Sequence, residues 1–250
     1  MEKFFKKNLF IIVILILWYT LFSMEIWSAY ILPSPQRVMR TFYRMILSRE
    51  LFSNIGASFQ RIIGGYSISF TLAFILGILA KIRPKWTIYY ENILEFFRNV
   101  PPLSLIPLLI LWFGIGETSK IIIIVLASFF PMYFNIRKGI LSCDTKLIEV
   151  GISMKFSTWR IFRKIILPWA TTDILVGMRL GFGYSWRAIV GAEMIAAASG
   201  LGYLILDAQV MSRSDKVLVG IITIGILGCF CDKIFKYIIQ KFIYGGVENI

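Results

Sequence analysis

The sequence predicts an all-α integral membrane protein with about six transmembrane helices. The first observation is composition, because 58% of the 250 residues are hydrophobic and only 16% are charged. The second is a mean hydropathy of +0.75, well above that of ordinary soluble domains. The third is a series of uncharged apolar runs separated by basic segments. The net charge of +13 is scattered among these runs, so it indicates membrane topology rather than nucleic-acid binding.

The first helix is predicted near the N-terminus, where three lysines precede the apolar run Leu9 to Met24. A cleaved signal peptide begins in the same way, but no small-x-small site follows this run, so we expect an uncleaved helix over 9–28. The segment after it predicts a short amphipathic helix. Its apolar residues at helical spacing are Val38, Phe42, Met45 and Ile46, and its basic residues are Arg37, Arg40 and Arg44.

Five further spans are predicted along the chain. Four of them rest on uncharged runs at 62–80, 99–116, 121–136 and 217–231, which must borrow flanking residues because a span needs about 20. Another is predicted from Trp169 to Ile195. Four charged residues interrupt it: Asp173, Arg179, Arg187 and Glu193. Such charges are tolerated inside a span when they face protein or water.

The distribution of basic residues predicts the orientation. If six spans start inside, sixteen of the 27 lysines and arginines fall in inner segments and eight in outer segments. This bias places both termini in the cytoplasm. It also makes the segment 141–167 the largest cytoplasmic loop.

Within that loop, two short helices are predicted to meet near Lys155. Asp144 or Thr145 can cap the first helix and Ser157 the second. Beyond Ser157, apolar and basic residues occupy opposite faces of the predicted helix. The apolar face has Trp159, Ile161, Phe162, Ile165 and Ile166, and the basic face has Arg160, Arg163 and Lys164. The residues alone leave open that this helix only rests on lipid headgroups.

Prolines and arginines inside the spans point to a translocation path. Pro101 and Pro102 remove backbone hydrogen bonds, which is tolerated only against neighbouring helices, polar groups or water; plain kinking is the alternative. Arg179 and Arg187 lie eight residues apart, about 80° around a helix, so they can flank a path that attracts an anion. The alternative is that Arg179 lies near the inner surface and that Arg187 pairs with Glu193 or Asp173 of this subunit or of a partner subunit.

Several classes of site are excluded by residue type and spacing. The chain has no histidine, which rules out a histidine metal ligand or general base. Cys143 lies far from Cys229 and Cys231, so the cysteines do not form a zinc set. The segment 114–120 is glycine-rich but lacks the spacing of a phosphate-binding loop. We therefore expect no catalytic residue and no metal site, and no enzyme activity in this chain.

The spacing of the cytoplasmic loop resembles a known signature. The loop reads Glu149-Val150-Gly151, three residues, Lys155, nine residues, Ile165-Ile166-Leu167-Pro168, which is similar to the EAA-x3-G-x9-I-x-LP signature of permease subunits of bacterial ATP-binding-cassette (ABC) importers. Other stretches resemble the nitrate, sulfonate, taurine and bicarbonate branch of that family. They are Leu32-Pro33-Ser34-Pro35, Arg98-Asn99-Val100-Pro101-Pro102-Leu103, Trp112-Phe113-Gly114, Ala192-Glu193-Met194 and Gly200-Leu201-Gly202-Tyr203.

This resemblance implies a MetI-like ABC permease fold with cytoplasmic coupling helices. The whole chain, 1–250, would be one transmembrane domain, with an added helix at 9–28, a permease core at 57–242 and a coupling loop at 141–167. The implied contacts with a separate ATPase are Glu149, Gly151, Lys155, Trp159, Phe162, Ile165, Leu167 and Pro168. The translocation path would include Arg179, Arg187, Glu193, Pro101 and Pro102.

The same resemblance implies partners and location. ATPase subunits would use ATP and Mg, an extracytoplasmic solute-binding protein would deliver a small anionic solute, and two copies of this permease would form a homodimer among the lipids of the cell inner membrane. This chain would bind no cofactor of its own. Two other functions are left open: a passive channel or secondary transporter, and an ABC permease for a vitamin precursor.

The signature also departs from the family pattern. Val150 and Gly151 stand where the family has alanines, and Lys155 stands where it has glycine. A left-handed turn costs lysine roughly 1 kcal/mol or more, so the loop is expected either to carry this strain or to turn differently. Glu149 itself has a second interpretation, since it lies three residues after Lys146 and can pair with it on the helix surface.

Overall fold

The computed structural model describes residues 2–28 and 30–244, with side chains at position 9 and over 12–28 and 30–242. The side chains of Lys3, Lys6 and Lys7, which count among the basic residues of the predicted inner segments, lie outside this set. The first six helices are α1 Glu2–Ser23, α2 Pro35–Leu47, α3 Glu50–Ile82, α4 Pro84–Arg98, α5 Ile106–Phe113 and α6 Glu117–Leu141. The others are α7 Thr145–Ser153, α8 Thr158–Ile161, α9 Leu167–Ala196, α10 Leu201–Val210 and α11 Ser214–Tyr244. No strand occurs in the described part, so the all-α prediction is confirmed.

Within the described residues, four helices are long and apolar enough to cross a membrane: Glu50–Ile82, Glu117–Leu141, Thr158–Ala196 and Ser214–Phe242. A fifth crossing results if the bent pair Pro84–Arg98 and Pro102–Phe113 counts as one span. Helix α1 covers nearly all of the run assigned to the first span, and its part Ile12–Ser23 is a shorter apolar helix. The prediction of a multi-pass helical membrane protein is therefore confirmed.

The core of the bundle consists of α3, α6 and α9; α3 and α6 run parallel, and α9 runs antiparallel to both. Helix α6 lies between the other two and buries Ile124, Met132, Tyr133 and Ile136 almost completely. Glycines on the flanking helices let the backbones approach closely. A Cβ on Gly77 of α3 would lie 2.7 Å from Ile136 Cγ2, which fits the preference for small residues where membrane helices pack.

The bundle has two distinct ends. We call the end that carries α7 and α8 the lower end, and the end that carries α2 and α10 the upper end. Helix α2 is the predicted amphipathic helix. Ser34 caps it by accepting a hydrogen bond from the Arg37 amide at 3.2 Å, and its buried residues are Val38, Thr41 and Met45.

The span predicted from the run 99–116 is broken by a sharp bend and begins earlier, with α4. Helix α4 ends at Arg98, a 3₁₀ turn follows at Pro102–Leu105, and α5 begins at Ile106, with a bend of 92° between the two halves. Pro101 is extended, with φ −61° and ψ 123°. Two consecutive prolines provide no amide donors and disfavour helix before them, so the helix cannot continue through this point. Helices α4 and α10 were not predicted.

Candidate functional site

The lower-end loop begins with α7, and residues next to α7 in the sequence cap both of its ends. The Asp144 carboxylate accepts a hydrogen bond from the Lys146 amide at 2.9 Å and caps α7. At the other end of α7, Lys155 has a left-handed backbone with φ 56°. The Lys155 amide donates to Ile152 O at 2.8 Å and the Phe156 amide to Gly151 O at 3.0 Å. This is the Schellman arrangement, in which glycine is the usual left-handed residue.

Lys155 therefore adopts the turn that a glycine would make at this position. The sequence left two outcomes open, a strained lysine or a different turn, and the structure has the strained lysine. The fold of the turn is kept by its two backbone hydrogen bonds. A lysine in this conformation costs roughly 1 kcal/mol or more relative to an ordinary helical or extended one.

Gly151 lies where α7 packs on the next helix. A Cβ there would lie 2.7 Å from Ile165 Cδ1 and 3.2 Å from Ile161 Cγ1, so the small residue permits the contact. Ile161 and Ile166 are buried in the core, while Phe162, Ile165 and Leu167 are partly buried against it. Much of the predicted apolar face therefore contacts the chain's own helices.

The second predicted short helix is not separate, and this is a correction. Helix α8 continues through a π turn at Phe162–Ile166 into α9, giving one helix from Thr158 to Ala196. The physical reason is Pro168, which has no amide hydrogen and whose ring would clash with the carbonyl four residues earlier in a regular α-helix. A wider π turn just before the proline accommodates this. Ser157 caps the helix as predicted, accepting from the Arg160 amide at 3.3 Å.

The surface of the lower-end loop presents Glu149, Lys155, Trp159 and Pro168, all exposed. Trp159 is 68% exposed and stacks on Phe162 with ring centroids 5.8 Å apart. The pairing of Glu149 with Lys146 is not formed among the described residues. Glu149 and Trp159 are thus free of tertiary ion pairs and deep packing.

An apolar groove lies beside these residues. It has a volume of about 700 Å³ and runs between the last turn of α3 and the loop helices. Its lining residues are Ile78, Lys81, Ile82, Ile148, Ile152, Phe156, Thr158, Trp159, Ile161, Phe162 and Ile166. A groove edged by an exposed tryptophan is suited to receive another protein surface.

A second cavity lies between α6, α9 and the broken span. It has a volume of about 320 Å³. Its lining residues are Arg98, Val100, Pro102, Leu126, Ala127, Phe130, Pro131, Phe134, Asn135, Leu180 and Tyr184. Pro131 and Leu180 lie near the midpoints of the 25-residue α6 and the 30-residue α9, so the cavity is close to half depth. We call it the mid-depth cavity.

Two guanidinium groups lie in or beside the mid-depth cavity: Arg98 lines it, and Arg187 lies next to Tyr184, which also lines it. Arg98 stacks over the Phe134 ring at 5.0 Å, and Arg187 stacks over the Tyr184 ring at 5.1 Å while donating to Gly183 O at 3.1 Å. Both are exposed. Among the described residues neither has a carboxylate within ion-pair distance. Sequence reasoning missed Arg98, although its place just before Pro101 and Pro102 was a usable signal.

The other predicted path residues lie elsewhere. Pro102 lines the mid-depth cavity and Pro101 is exposed beside it. Arg179 is held by Asp232 of α11 through two hydrogen bonds of 2.6 and 2.8 Å. The alternative that Arg187 pairs with Glu193 or Asp173 of the same chain is wrong, because Asp173 lies 3.5 Å from Lys138 and Glu193 has other partners.

Glu193 belongs to a buried network at the upper end. Its carboxylate is fully buried and accepts from Arg61 Nη1 at 2.8 Å, from the Ser58 hydroxyl at 2.8 and 2.9 Å, and from the Gly202 amide at 3.0 Å. Arg61 also donates to both carboxylate oxygens of Glu117, at 2.6 and 2.9 Å. The network joins α3, α6, α9 and α10.

Two glycines, Gly200 and Gly202, let the backbone approach the Glu193 carboxylate closely. Gly200 has φ 116°, and a Cβ there would lie 2.2 Å from the Glu193 carboxyl carbon. A Cβ on Gly202 would lie 2.2 Å from Val190 O. The motif from Ala192 to Gly202 is therefore explained by packing: the glycines let the loop close over the Glu193 carboxylate.

The cysteines show no metal-binding arrangement. Among the described residues no group of three or more cysteine or carboxylate side chains lies close enough to hold a metal ion. Cys143 is a free thiol, buried between α6 and α7. Burial raises the pKa of the Cys143 thiol above its ordinary value, and Lys81 opposes this in part.

Comparison with known proteins gives one family. The family described as "Binding-protein-dependent transport system inner membrane component" matches residues 69–244. The chain is 38% identical over 229 residues to the putative aliphatic sulfonates transport permease protein SsuC of Bacillus subtilis (strain 168), covering 92% of this chain and 83% of the relative. It is 34% identical over 220 residues to the taurine transport system permease protein TauC of Escherichia coli (strain K12), covering 86% and 80%.

A solved structure has the same fold. A chain of the MetNI methionine ABC transporter, crystallised in inward-facing conformations, matches with a TM-score of 0.64 and 17% sequence identity. The match covers 80% of this chain and 97% of that chain. The predicted MetI-like ABC permease fold is thereby confirmed.

Proposed function

The chain belongs to the family of binding-protein-dependent transport system inner membrane components, and from this premise we propose that it is the membrane subunit of an ATP-driven importer for a small anionic solute of the sulfonate type. The observation that carries the choice of an anion is a pair of exposed guanidinium groups: Arg98 lines the mid-depth cavity, and Arg187 lies beside it over the ring of Tyr184. Both relatives described above are named for sulfonate or taurine transport.

An anionic solute would offset the cost of placing two guanidinium groups near half depth in the membrane. A guanidinium in a span is expensive unless it faces protein, water or a counter-ion. Arg98 and Arg187 rest on aromatic rings, which stabilise cations without neutralising them. A sulfonate or another small oxyanion would supply the missing negative charge, and the planar fork of arginine matches such groups.

The break in the fourth and fifth helices supports transport at this depth. Non-helical backbone inside a membrane is tolerated where it lines a cavity or packs on protein. The segment from Asn99 to Pro101 leaves the helix beside Arg98 and the mid-depth cavity. Broken helices of this kind form solute sites in transporters, so Arg98, Pro101 and Pro102 are assigned to the translocation path together with Arg187.

Energy coupling is assigned to the lower-end loop. Glu149 and Trp159 would contact a separate ATPase, because they are exposed on a loop that is otherwise anchored by Gly151, Ile161 and Ile166. Phe162, Ile165, Leu167 and Pro168 would hold the loop rigid, so that movement of the ATPase reaches α9. Lys155 would keep the turn between the helices.

The remaining partners follow from the same assignment. Two ATPase subunits would use ATP and Mg, a soluble binding protein would deliver the solute at the upper end, and a second copy of this permease would complete the path. The lower end and both termini would face the cytoplasm, in agreement with the bias of lysine and arginine.

The test is ATP-dependent uptake in proteoliposomes. The chain would be reconstituted with a candidate ATPase and a candidate solute-binding protein, and uptake of taurine and an alkanesulfonate would be measured. Arg98→Gln and Arg187→Gln are expected to lower uptake about tenfold or more, the loss for a hydrogen bond to a charged group. Arg83→Gln, an exposed arginine in the turn between α3 and α4, serves as the matched control and should leave uptake unchanged.

Coupling is tested separately by co-purification. Glu149→Ala and Trp159→Ala should reduce recovery of the ATPase with the permease, whereas Lys155→Gly should not. Uptake by the permease alone, without ATP, would instead support a passive channel or secondary transporter. A thermal-shift screen of the binding protein that responds to a vitamin precursor and to no oxyanion would contradict the anionic solute.

A further inference from the structure

Helix α2 has three faces rather than the two of an ordinary amphipathic helix. One face packs on the bundle through Val38, Thr41 and Met45. A second is apolar and exposed, with Met39 at 67%, Tyr43 at 61% and Leu47 at 65%. The third is basic and consists of Arg37, Arg40 and Arg44. At about 100° per residue, the basic face directly adjoins the exposed apolar one.

The basic face lines a cavity with little negative charge. This cavity of about 450 Å³ is lined by Arg37, Arg40, Thr41, Arg44, Arg213 and Asp215. We call it the arginine cavity. It brings four guanidinium groups around a single carboxylate, so its lining has a clear excess of positive charge.

The one carboxylate is already occupied. Asp215 is 2% exposed and accepts from Arg213 at 2.8 and 3.0 Å and from the Thr41 hydroxyl at 2.6 Å. Arg37 lies 4.0 Å from it. Arg40 and Arg44 are exposed, and neither has an ion pair within the part of the chain that the structure describes. Two guanidinium forks are therefore available to a ligand.

The location of the arginine cavity indicates which kind of anion it binds. Helix α2 lies at the upper end, against the first turn of α11 and next to the start of α3. The Ser214 hydroxyl donates to Tyr30 O beside it, and Tyr30 and Ile31 are themselves 69% and 65% exposed. A helix with one exposed apolar face and one basic face is typical of the boundary between acyl chains and headgroups.

We propose that the arginine cavity binds the phosphate of an anionic phospholipid headgroup, with acyl chains lying along Met39, Tyr43 and Leu47. Arginine forks bind phosphate oxygens through paired, charge-assisted hydrogen bonds. A soluble anion would make no use of the adjoining apolar face. An acidic protein surface would meet the arginines but would leave that face uncovered. The site is independent of the transported solute.

The experiment is native mass spectrometry of the purified full-length chain titrated with phosphatidylglycerol or phosphatidylcholine. Each arginine near an anionic surface contributes a factor of about five in affinity. The double variant Arg40→Gln/Arg44→Gln is therefore expected to bind phosphatidylglycerol roughly 25-fold more weakly and phosphatidylcholine unchanged. The matched control is Arg160→Gln/Arg163→Gln, two exposed arginines at the lower end, which should keep the affinity.

Three further measurements decide the identity of the ligand. Met39→Ser/Leu47→Ser should weaken phosphatidylglycerol binding while all four guanidinium groups remain. Inorganic phosphate or ethanesulfonate at millimolar concentration should not displace the lipid; displacement would overturn the proposal in favour of a soluble-anion site. Equal loss in the control double variant, or loss of binding-protein affinity without any change in lipid binding, would also overturn it. Unchanged melting temperatures in lipid-free detergent would show that the variants fold.

Discussion

Arg61 on α3 donates from Nη1 to Glu193 Oε1 on α9 at 2.8 Å, and their side chains are 8% and 0% exposed. Ser58 and the Gly202 amide complete the shell of the carboxylate, while Ser199 and Glu117 use the other donors of the guanidinium. A buried ion pair of this kind repays desolvation only when its remaining polar atoms are also paired. Here they are, so the pair fixes the α9 to α10 loop on α3.

Removing the carboxylate should destabilise the fold strongly. Glu193→Ala leaves the buried Arg61 guanidinium without its fully buried partner, and breaking one side of a buried pair costs about 3–5 kcal/mol. We expect the free energy of unfolding to fall by this amount in detergent-purified protein, measured by denaturant titration. Glu95→Gln is the control, since Glu95 is exposed and surface changes stay within about 0.5 kcal/mol. Equal stability of both variants would refute the role of the pair.

Gly202 in α10 provides a second test of how the loop between α9 and α10 packs over Glu193. Gly202→Ala would place a Cβ 2.2 Å from the Val190 carbonyl oxygen, a backbone atom that cannot move aside cheaply. We expect a loss of about 1–3 kcal/mol from overpacking, seen as a lower melting temperature. Gly64→Ala is matched, because Gly64 is also helical but has nothing within 4 Å of its Cβ position. That variant should be neutral or more stable by about 0.5–1 kcal/mol.

Structural features that depend on neighbouring residues in the sequence were predictable. The caps Asp144 and Ser157 precede their helices directly, and Ser34 precedes Pro35 at the start of α2. The turn at Lys155 was expected from the capping residues on either side of it and from the resemblance of the loop to the family signature, and only its conformation needed the structure. Composition was sufficient for the class of protein, because a chain this apolar cannot remain in water.

Features that depend on distant contacts were not predictable. Glu193 was assigned to a solute path because a charge in a span is usually functional, but its partner Arg61 lies 132 positions away in sequence. The break before α5 depends on two prolines whose effect, a kink or a full break, is decided by packing. Arg98 was passed over because its place at the mid-depth cavity follows from that break.

Restoring glycine at the loop turn should relieve strain. Lys155→Gly removes the cost of a left-handed lysine, roughly 1 kcal/mol, although glycine gives back part of this through its freer unfolded chain. We expect a small gain in stability, and a clear loss for Lys155→Val, because a β-branched residue tolerates φ 56° poorly. Limited proteolysis of the loop would measure both. Faster cleavage of the glycine variant than of the valine variant would contradict the turn.

The thiol of Cys143 should need a higher pH to react than an ordinary cysteine thiol. Its pKa is raised by burial, so at any given pH it holds less thiolate than an ordinary cysteine, and its alkylation should begin at higher pH. Lys81 lowers the pKa, so Lys81→Gln should move the onset higher still. The measurement is the rate of maleimide reaction against pH in a protein with Cys229 and Cys231 replaced by alanine. Ser153→Cys, an exposed position, gives the reference curve after Cys143→Ala; coincident curves would contradict the burial effect.

We expect the lower end of the bundle to face the cytoplasm. The lower end carries Lys138, Lys146, Arg160 and Arg163, and loops rich in lysine and arginine stay in the cytoplasm. In a chain without native cysteines, Ser153→Cys and Gln209→Cys place one exposed thiol at each end. A membrane-impermeant maleimide added to intact cells should label Cys at position 209 and should reach position 153 only after permeabilisation. The reverse pattern would invert the proposed topology and would remove the lower-end loop from any cytoplasmic ATPase.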